Sequence, residues 1–284
     1  MNKKAKLLDF KLKRNLWSDI FWAYKSLFHW TWIEFAEHRE YTPWDPIKTI
    51  DWKVSAKTNK LQIKKYEEER NIKILFVIDI NETYLQFKNK KEIIEEVFYT
   101  LALSWINNND NISIVLNIKW KNNKPIILPY SYEIWNIFRT LDILENYNLD
   151  TETLSLNTTI KNIISNPQVN NNLIFILTDN DEIKQDKNWR LLWVKNEVVY
   201  VNIYDYFENN LLTLNEDITL SNGSKFIDIA LMNKDKIQKY QKLRQYKLEK
   251  LKQKLLKNNI SYLYLDSSLD IYKWLYKFFL TYDR

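Results

Sequence analysis

The stretch NIKILFVID, residues 71–79, is the segment of the chain that decides the fold. Residues 72–79 form a near-continuous apolar run rich in Ile and Val, and such a run predicts a strand covered on both faces of a sheet. Residues 173–177 form a second run of this kind, which ends on Thr178 and Asp179. The sequence therefore predicts two buried strands that each lead into an aspartate.

Strands and helices alternate after the first of these runs. Further strands are predicted at residues 112–118, 125–128, 197–203 and 261–265, with helices at 92–107, 132–146, 159–166, 182–195, 234–257 and 269–280. This alternation indicates right-handed β-α-β crossovers and a mainly parallel sheet flanked by helices. In such a sheet, functional sites form at the carboxyl ends of the strands.

The composition limits the chemistry that the chain can perform. Cys is absent and only two His occur, which excludes disulfides and thiol catalysis and leaves few residues for a His-ligated metal. A bound metal would need oxygen ligands, and these favour Mg²⁺, Mn²⁺ or Ca²⁺. The chain has no apolar run near the roughly 18 residues of a membrane span and no secretory signal, so we expect a cytoplasmic protein.

Most of the net charge of +6 lies in the N-terminal quarter. Residues 1–70 carry 15 Lys and Arg against 10 Asp and Glu. Two interpretations remain open: a contact surface for nucleic acid, anionic lipid or an acidic protein, or lysines that are simply solvated.

Gly occurs once and Trp 12 times, an unusual balance for a chain with many turns. Trp30, Trp32 and Trp44 stand where turn residues are expected, since Gly is the usual residue at positive φ. We hypothesise that several of these Trp are Gly in the native protein, encoded by a reassigned UGA codon. True Trp richness is the alternative, but it does not explain the missing Gly.

The loop after the first buried strand carries oxygen side chains at alternate positions. Asp79, Asn81 and Thr83 have the i, i+2, i+4 spacing that can converge on one hard cation. Asp179, from a neighbouring strand, would add a second carboxylate. The alternative is that these polar residues only solvate loops and cap helices.

A hydroxyl could complete such a set. Thr158 and Thr159 precede the helix before the second buried strand, and either one could supply a further ligand.

An ordered set of short motifs carries a family resemblance. EFAEHREYTPWD at residues 34–45, IDWK at 50–53, AKT at 56–58 and EEER at 67–70 resemble the signature of the domain of unknown function 58 family. The resemblance implies a von Willebrand factor A-like, Rossmann-type fold and a metal-ion-dependent adhesion-type site. It also implies partnership with MoxR-type AAA+ ATPases. The chain would then divide into an N-terminal segment, 1–70, packed on the sheet, and a von Willebrand A-like domain, 71–284.

Residue by residue, the resemblance assigns a divalent cation such as Mg²⁺ to the strand-end loop. Asp79 matches the first Asp of the family's D-x-S-x-S motif, and Asp179 matches its later strand-end Asp. Thr83 stands in for one Ser as a hydroxyl ligand, whereas Asn81 replaces the other and offers only an amide. The family's glycines fall on the three Trp named above, and Trp52 matches a family tryptophan.

Arg39, Asp45, Asp51 and Trp52 form a second group in the N-terminal segment. They could contact a partner. They could instead pin the segment onto the sheet through salt bridges and one buried aromatic side chain.

The family resemblance, together with the strand-end aspartates, implies a non-enzymatic, metal-dependent protein-interaction module that works with a MoxR-type ATPase in chaperone-like assembly or maturation. Two alternatives stay open. One is a metal-assisted hydrolase or nuclease that uses Asp79 and Asp179, with Glu82 as the nearest candidate base. The other is nucleic-acid binding through residues 1–70.

The recoding hypothesis makes a direct prediction about the native protein. We expect mass spectrometry of peptides from its natural source to find Gly at positions 30, 32 and 44, and Trp at position 52, which matches a family tryptophan. Trp at the first three positions would end the hypothesis.

Overall fold

A computed structural model describes most of the chain beyond the N-terminal segment. The residues described are 35–45, 50–66, 73–81, 84, 88–107, 109–148, 150–183, 186–206, 219–221, 226–228 and 234–281.

Ten strands and seven α-helices make up the described part of the chain. The strands are β1 (Phe35–Glu40), β2 (Gln62–Tyr66), β3 (Lys73–Ile78), β4 (Asn111–Trp120), β5 (Lys124–Ser131), β6 (Leu173–Thr178), β7 (Glu197–Tyr204), β8 (Thr219–Ser221), β9 (Phe226–Asp228) and β10 (Ser261–Asp266). The helices are α1 (Trp52–Thr58), α2 (Lys88–Ile106), α3 (Trp135–Glu145), α4 (Leu156–Ile164), α5 (Lys187–Lys195), α6 (Lys234–Leu256) and α7 (Ile271–Leu280).

Six strands form one sheet in the order β10-β7-β6-β3-β4-β5. All neighbours are parallel except β5, which pairs antiparallel with β4 at one edge. Helices cover both faces, so the prediction of a mainly parallel α/β sheet of Rossmann type is confirmed. The edge strand β5 carries Pro125 and Pro129, a residue type that edge strands tolerate because Pro cannot donate to a ladder.

The alternating side chains of β3 show how the helices cover the two faces. Ile74, Phe76 and Ile78 pack into a core shared with α2, α3 and α7. Leu75 and Val77 pack into a second core with α4, α5 and α6. Each such side chain contributes about 1.5–3 kcal/mol when fully buried, which explains why the strand is apolar at successive positions.

One tryptophan fills the centre of the first core. The Trp105 ring lies 5.8 Å from Phe76, 4.9 Å from Phe175 and 6.4 Å from Phe279, measured between ring centroids. Trp44 is the opposite case, since 94% of it is exposed and it contributes nothing to either core. Gly at position 44 would therefore leave the packing intact, whereas Gly at 105 would open a cavity.

Asn residues occupy the left-handed backbone positions. The non-Gly residues with positive φ in the described chain are Asn59, Asn109, Asn122, Asn123, Asn171 and Asn259. Asn tolerates this conformation better than other residues with a Cβ, so it takes over the role that Gly usually fills in turns. The expectation that Trp stands at turn positions requiring Gly is wrong for Trp44, because its φ is not positive.

The N-terminal region holds a small unit of its own. β1 and β2 pair antiparallel, and Asp51 caps α1 by accepting hydrogen bonds from the backbone N–H groups of Lys53 and Val54. The division of the chain at residue 70 stays a prediction.

Within the described residues, no helix combines the length and the apolar character needed to cross a membrane.

Candidate functional site

The candidate site lies where the direction of the sheet reverses. From β3 the chain passes through α2 to β4 on one side, and from β6 it passes through α5 to β7 on the other. Such a switch point leaves a crevice at the carboxyl ends of the two central strands. Asp79 and Asp179 directly follow these strands, and the Asp79 N–H donates to Leu177 O at 2.9 Å. The structure therefore brings both predicted aspartates together at the carboxyl ends of the parallel strands, here called the carboxyl edge of the sheet.

The Asp79 carboxylate is buried and held from both sides. Only 6% of the residue is exposed. Its Oδ1 accepts from Asn117 Nδ2 at 2.8 Å, and its Oδ2 accepts from Thr178 Oγ1 at 2.7 Å. Burial raises the pKa of Asp79 to about 7, opposed by the Thr178 hydrogen bond and increased by the nearby charge of Asp179.

Asn117 ties the loop after β3 to the neighbouring strand β4. Its amide accepts from Ile80 N at 2.8 Å and donates to Ile80 O at 2.7 Å and to Leu154 O at 3.0 Å. Asn117 is not among the residues predicted from the sequence. A signal for it exists, since it is a polar residue in the buried, mostly apolar part of β4 and must satisfy its amide there.

Asp179 is paired with a buried lysine, Lys90, which is also not among the residues predicted from the sequence. Lys90 Nζ donates to Asp179 Oδ2 at 2.8 Å, and Asn81 Nδ2 donates to Asp179 Oδ1 at 2.5 Å. The Lys90 side chain lies in the first turn of α2 and is 1% exposed. In the sequence it stands in the run KNKK, which looks like a solvated charge cluster.

The loop after β6 is fixed by hydrogen bonds to its backbone and side chains. Thr178 Oγ1 accepts from the Asn180 N–H at 3.0 Å while donating to Asp79. Tyr200 donates its hydroxyl to Asn180 O at 2.8 Å, and Tyr204 donates to Asp181. These contacts set the direction of the chain on both sides of Asp179.

The remaining predicted ligands have other surroundings. Thr83 and the candidate base Glu82 lie outside the described residues. Thr158 Oγ1 is 2.9 Å from Ser155 Oγ, and Thr159 Oγ1 donates to Ser155 O at 3.2 Å. Both threonines lie in the first turn of α4, not before this helix as predicted, and both hydroxyls bond to Ser155, the residue that caps it.

The described donors do not fit a resident divalent ion. Both oxygens of Asp79 and both oxygens of Asp179 accept hydrogen bonds, and Asn81 presents its N–H rather than its carbonyl to Asp179. A Mg²⁺ or Ca²⁺ ion needs several oxygen ligands, and the Lys90 ammonium at Asp179 repels a second cation there. Within the described residues, no three acidic or His side chains group in a way that could hold a metal.

The N-terminal group forms its own hydrogen-bonded set. Arg39 donates to both oxygens of Asp45 at 2.9 and 2.6 Å, and this pairing, with help from Thr42, holds the pKa of Asp45 well below its usual range. Asp51 caps α1 and lies 3.1 Å from His38 Nε2.

The expectation of a buried aromatic in this group is wrong, since Trp52 is 64% exposed. It begins a short helix that buries Ser55, so its side chain is left in solvent. Whether the group contacts a partner stays a prediction.

Comparison with known proteins adds a family and nothing more specific. The family model described as "Protein of unknown function DUF58" matches residues 37–224, about two thirds of the chain. No curated protein gives a significant match.

The raised pKa of Asp79 predicts an unusual dependence of stability on pH. Between pH 3.8 and about 7, the folded protein keeps a proton on Asp79 that the unfolded chain has lost. The free energy of unfolding should therefore fall as pH rises through this window, by at most about 1.4 kcal/mol per pH unit. Asp79→Asn should lack this contribution, so it should gain stability relative to the wild type as pH rises. Urea unfolding from pH 4 to 8 measures this difference.

The control is Asp142→Asn, a change of the same kind at an exposed position on α3. It should follow the wild-type profile at every pH. Parallel profiles for Asp79→Asn and the wild type would show that Asp79 does not titrate in this range.

The Lys90–Asp179 ion pair predicts strong coupling between two substitutions. Asp179→Asn leaves a buried ammonium without its carboxylate partner and should cost about 3–5 kcal/mol of stability. Lys90→Met should also destabilise the fold. The double variant should lose less than the sum of the two, with a coupling of about 1–3 kcal/mol by denaturant unfolding. Additive losses would contradict the pairing.

Proposed function

We propose, from the premise that this chain belongs to the DUF58 family, that it is a non-enzymatic protein-interaction module. It would present the carboxyl edge of its parallel sheet to a partner protein. The observation that carries the proposal is the meeting of Asp79 and Asp179 at the switch point of the sheet, where α/β proteins bind their ligands.

The fixed geometry of this edge supports an interaction role. Asp79, Asn117 and Thr178 hold one another by hydrogen bonds, and the loop after β6 is held by two tyrosine hydroxyls. A surface that is ordered before binding loses little conformational entropy when a partner docks.

Exposed acidic side chains flank the edge. Glu152 pairs with Lys119, which lies near the carboxyl end of β4. Glu182, which follows β6 in the chain, pairs with Lys247 at 3.1 Å. Both glutamates remain largely exposed, so either could exchange its lysine for a basic group on a partner. Charges at the rim of an interface steer association and set partner choice.

The partner class in the proposal is a MoxR-type AAA+ ATPase, and the domain would have the von Willebrand A-like architecture of the family that the sequence resembles. The shared work would be chaperone-like assembly or maturation. Because the described donors do not fit a resident divalent ion, the proposal places no metal in the contact.

The test is binding between the purified full chain and a MoxR-type ATPase from the same genome. Glu152→Lys and Glu182→Lys reverse charges beside the proposed contact edge, and each should weaken binding about tenfold or more because like charges would then face the partner. Biolayer interferometry at two salt concentrations measures the dissociation constants.

Glu133→Lys is the matched control. Glu133 is exposed and follows β5, whose end pairs with the start of β4 at the opposite edge of the sheet. It should bind like the wild type. Equal weakening by all three variants would reject the edge as the contact, and no binding by the wild type would reject this partner class.

A further inference from the structure

Lys90 has an unusual position for a lysine. It is the third residue of α2, a helix that begins on the same side of the sheet as Asp179, yet its side chain is 1% exposed. Lysines usually extend their ammonium group into water, and the partial positive charge of a helix N-terminus makes a further cation there unfavourable. An ammonium in this place must be offset by a carboxylate.

Asp179 supplies that carboxylate at close range. The distance from Lys90 Nζ to Asp179 Oδ2 is 2.8 Å, and Asp179 itself is 8% exposed in its side chain. Removing two charges from water is costly unless they pair with good geometry. The pair is therefore a fixed part of the strand-end edge rather than a passing surface contact.

The pair also lies where a metal ion would need its ligands. Asp179 is one of two strand-end carboxylates, and the other, Asp79, adjoins it through Thr178. A divalent ion bound here would use the Asp179 oxygen that now accepts from Lys90, because hard cations in proteins bind carboxylate oxygens. The Lys90 ammonium, 2.8 Å from that oxygen, would repel a divalent ion bound to the same carboxylate, so the two cations compete for Asp179.

We propose that Lys90 is a built-in cation that takes the place of a divalent ion at this edge. The wild-type protein would then work without a metal, and removal of the amine would expose a latent divalent-ion site formed with Asp179. This inference concerns the edge used in the interaction role, but its test needs no partner. Failure of one therefore leaves the other standing.

The experiment titrates the full chain with Mn²⁺ alone, followed by calorimetry and by thermal unfolding. Lys90→Ala should bind one Mn²⁺ at least about tenfold more tightly than the wild type, a difference of about 1.4 kcal/mol in binding free energy. Its melting temperature should rise with Mn²⁺, since a ligand of the folded state stabilises it. The wild-type melting temperature should be the same in EDTA and in MgCl₂.

Two controls separate the site from general charge effects. Lys91→Ala removes a neighbouring lysine charge that lies near the Tyr84 ring rather than on Asp179, and it should bind Mn²⁺ like the wild type. Lys90→Ala with Asp179→Asn should lose the gained affinity.

Two results would overturn the proposal. The first is a Lys90→Ala variant that gains no Mn²⁺ affinity. The second is a wild-type protein whose melting temperature falls in EDTA. If Lys90→Ala does not fold, Lys90→Met replaces it, and the wild-type measurement in EDTA decides by itself.

Discussion

The buried carboxylate of Asp79 is the constraint on which the rest of the edge depends. A carboxylate in this position must have donors on both sides, and Asn117 from β4 and Thr178 from β6 provide them. These two bonds join three adjacent strands at their carboxyl ends. The adjacent Asp179 then adds negative charge, which the Lys90 ammonium offsets. Each buried polar group in the cluster therefore needs a partner of its own: Asp79 needs hydrogen-bond donors, and the charge of Asp179 needs the Lys90 ammonium.

Much of the fold could be predicted from the sequence because it depends on local apolar pattern. The strand at 72–79 is predicted within one residue at each end, since a near-continuous apolar run of strand length, rich in Ile and Val, is typical of a strand covered on both faces. Both strand-end aspartates were found for the same reason. Lys90 and Asn117 were missed because their roles depend on partners 89 and 37 residues away. A local sequence pattern cannot predict a contact between residues so far apart in the chain.

The structure also explains how the chain forms its turns with almost no Gly, which the sequence alone did not suggest. Scarce Gly predicted difficulty at turns, but the described turns place Asn at their positive-φ positions. Asn is only modestly destabilised in this conformation, because its short side-chain amide can hydrogen-bond to the nearby backbone. The tryptophans divide into two groups on physical grounds. Trp105 is buried and packs against aromatic rings of the first core, whereas Trp44 is 94% exposed and packs in neither core.

The edge strand β5 has a consequence for how copies of the chain can associate. Pro125 and Pro129 lack the N–H that a further strand would need, and Lys124 begins the strand with a charge. Proteins use these devices to stop open sheets from growing by strand addition. These residues therefore disfavour the pairing of a further strand with β5. Any larger assembly that includes this chain must be joined through side chains and loops rather than through a continuous backbone ladder at β5.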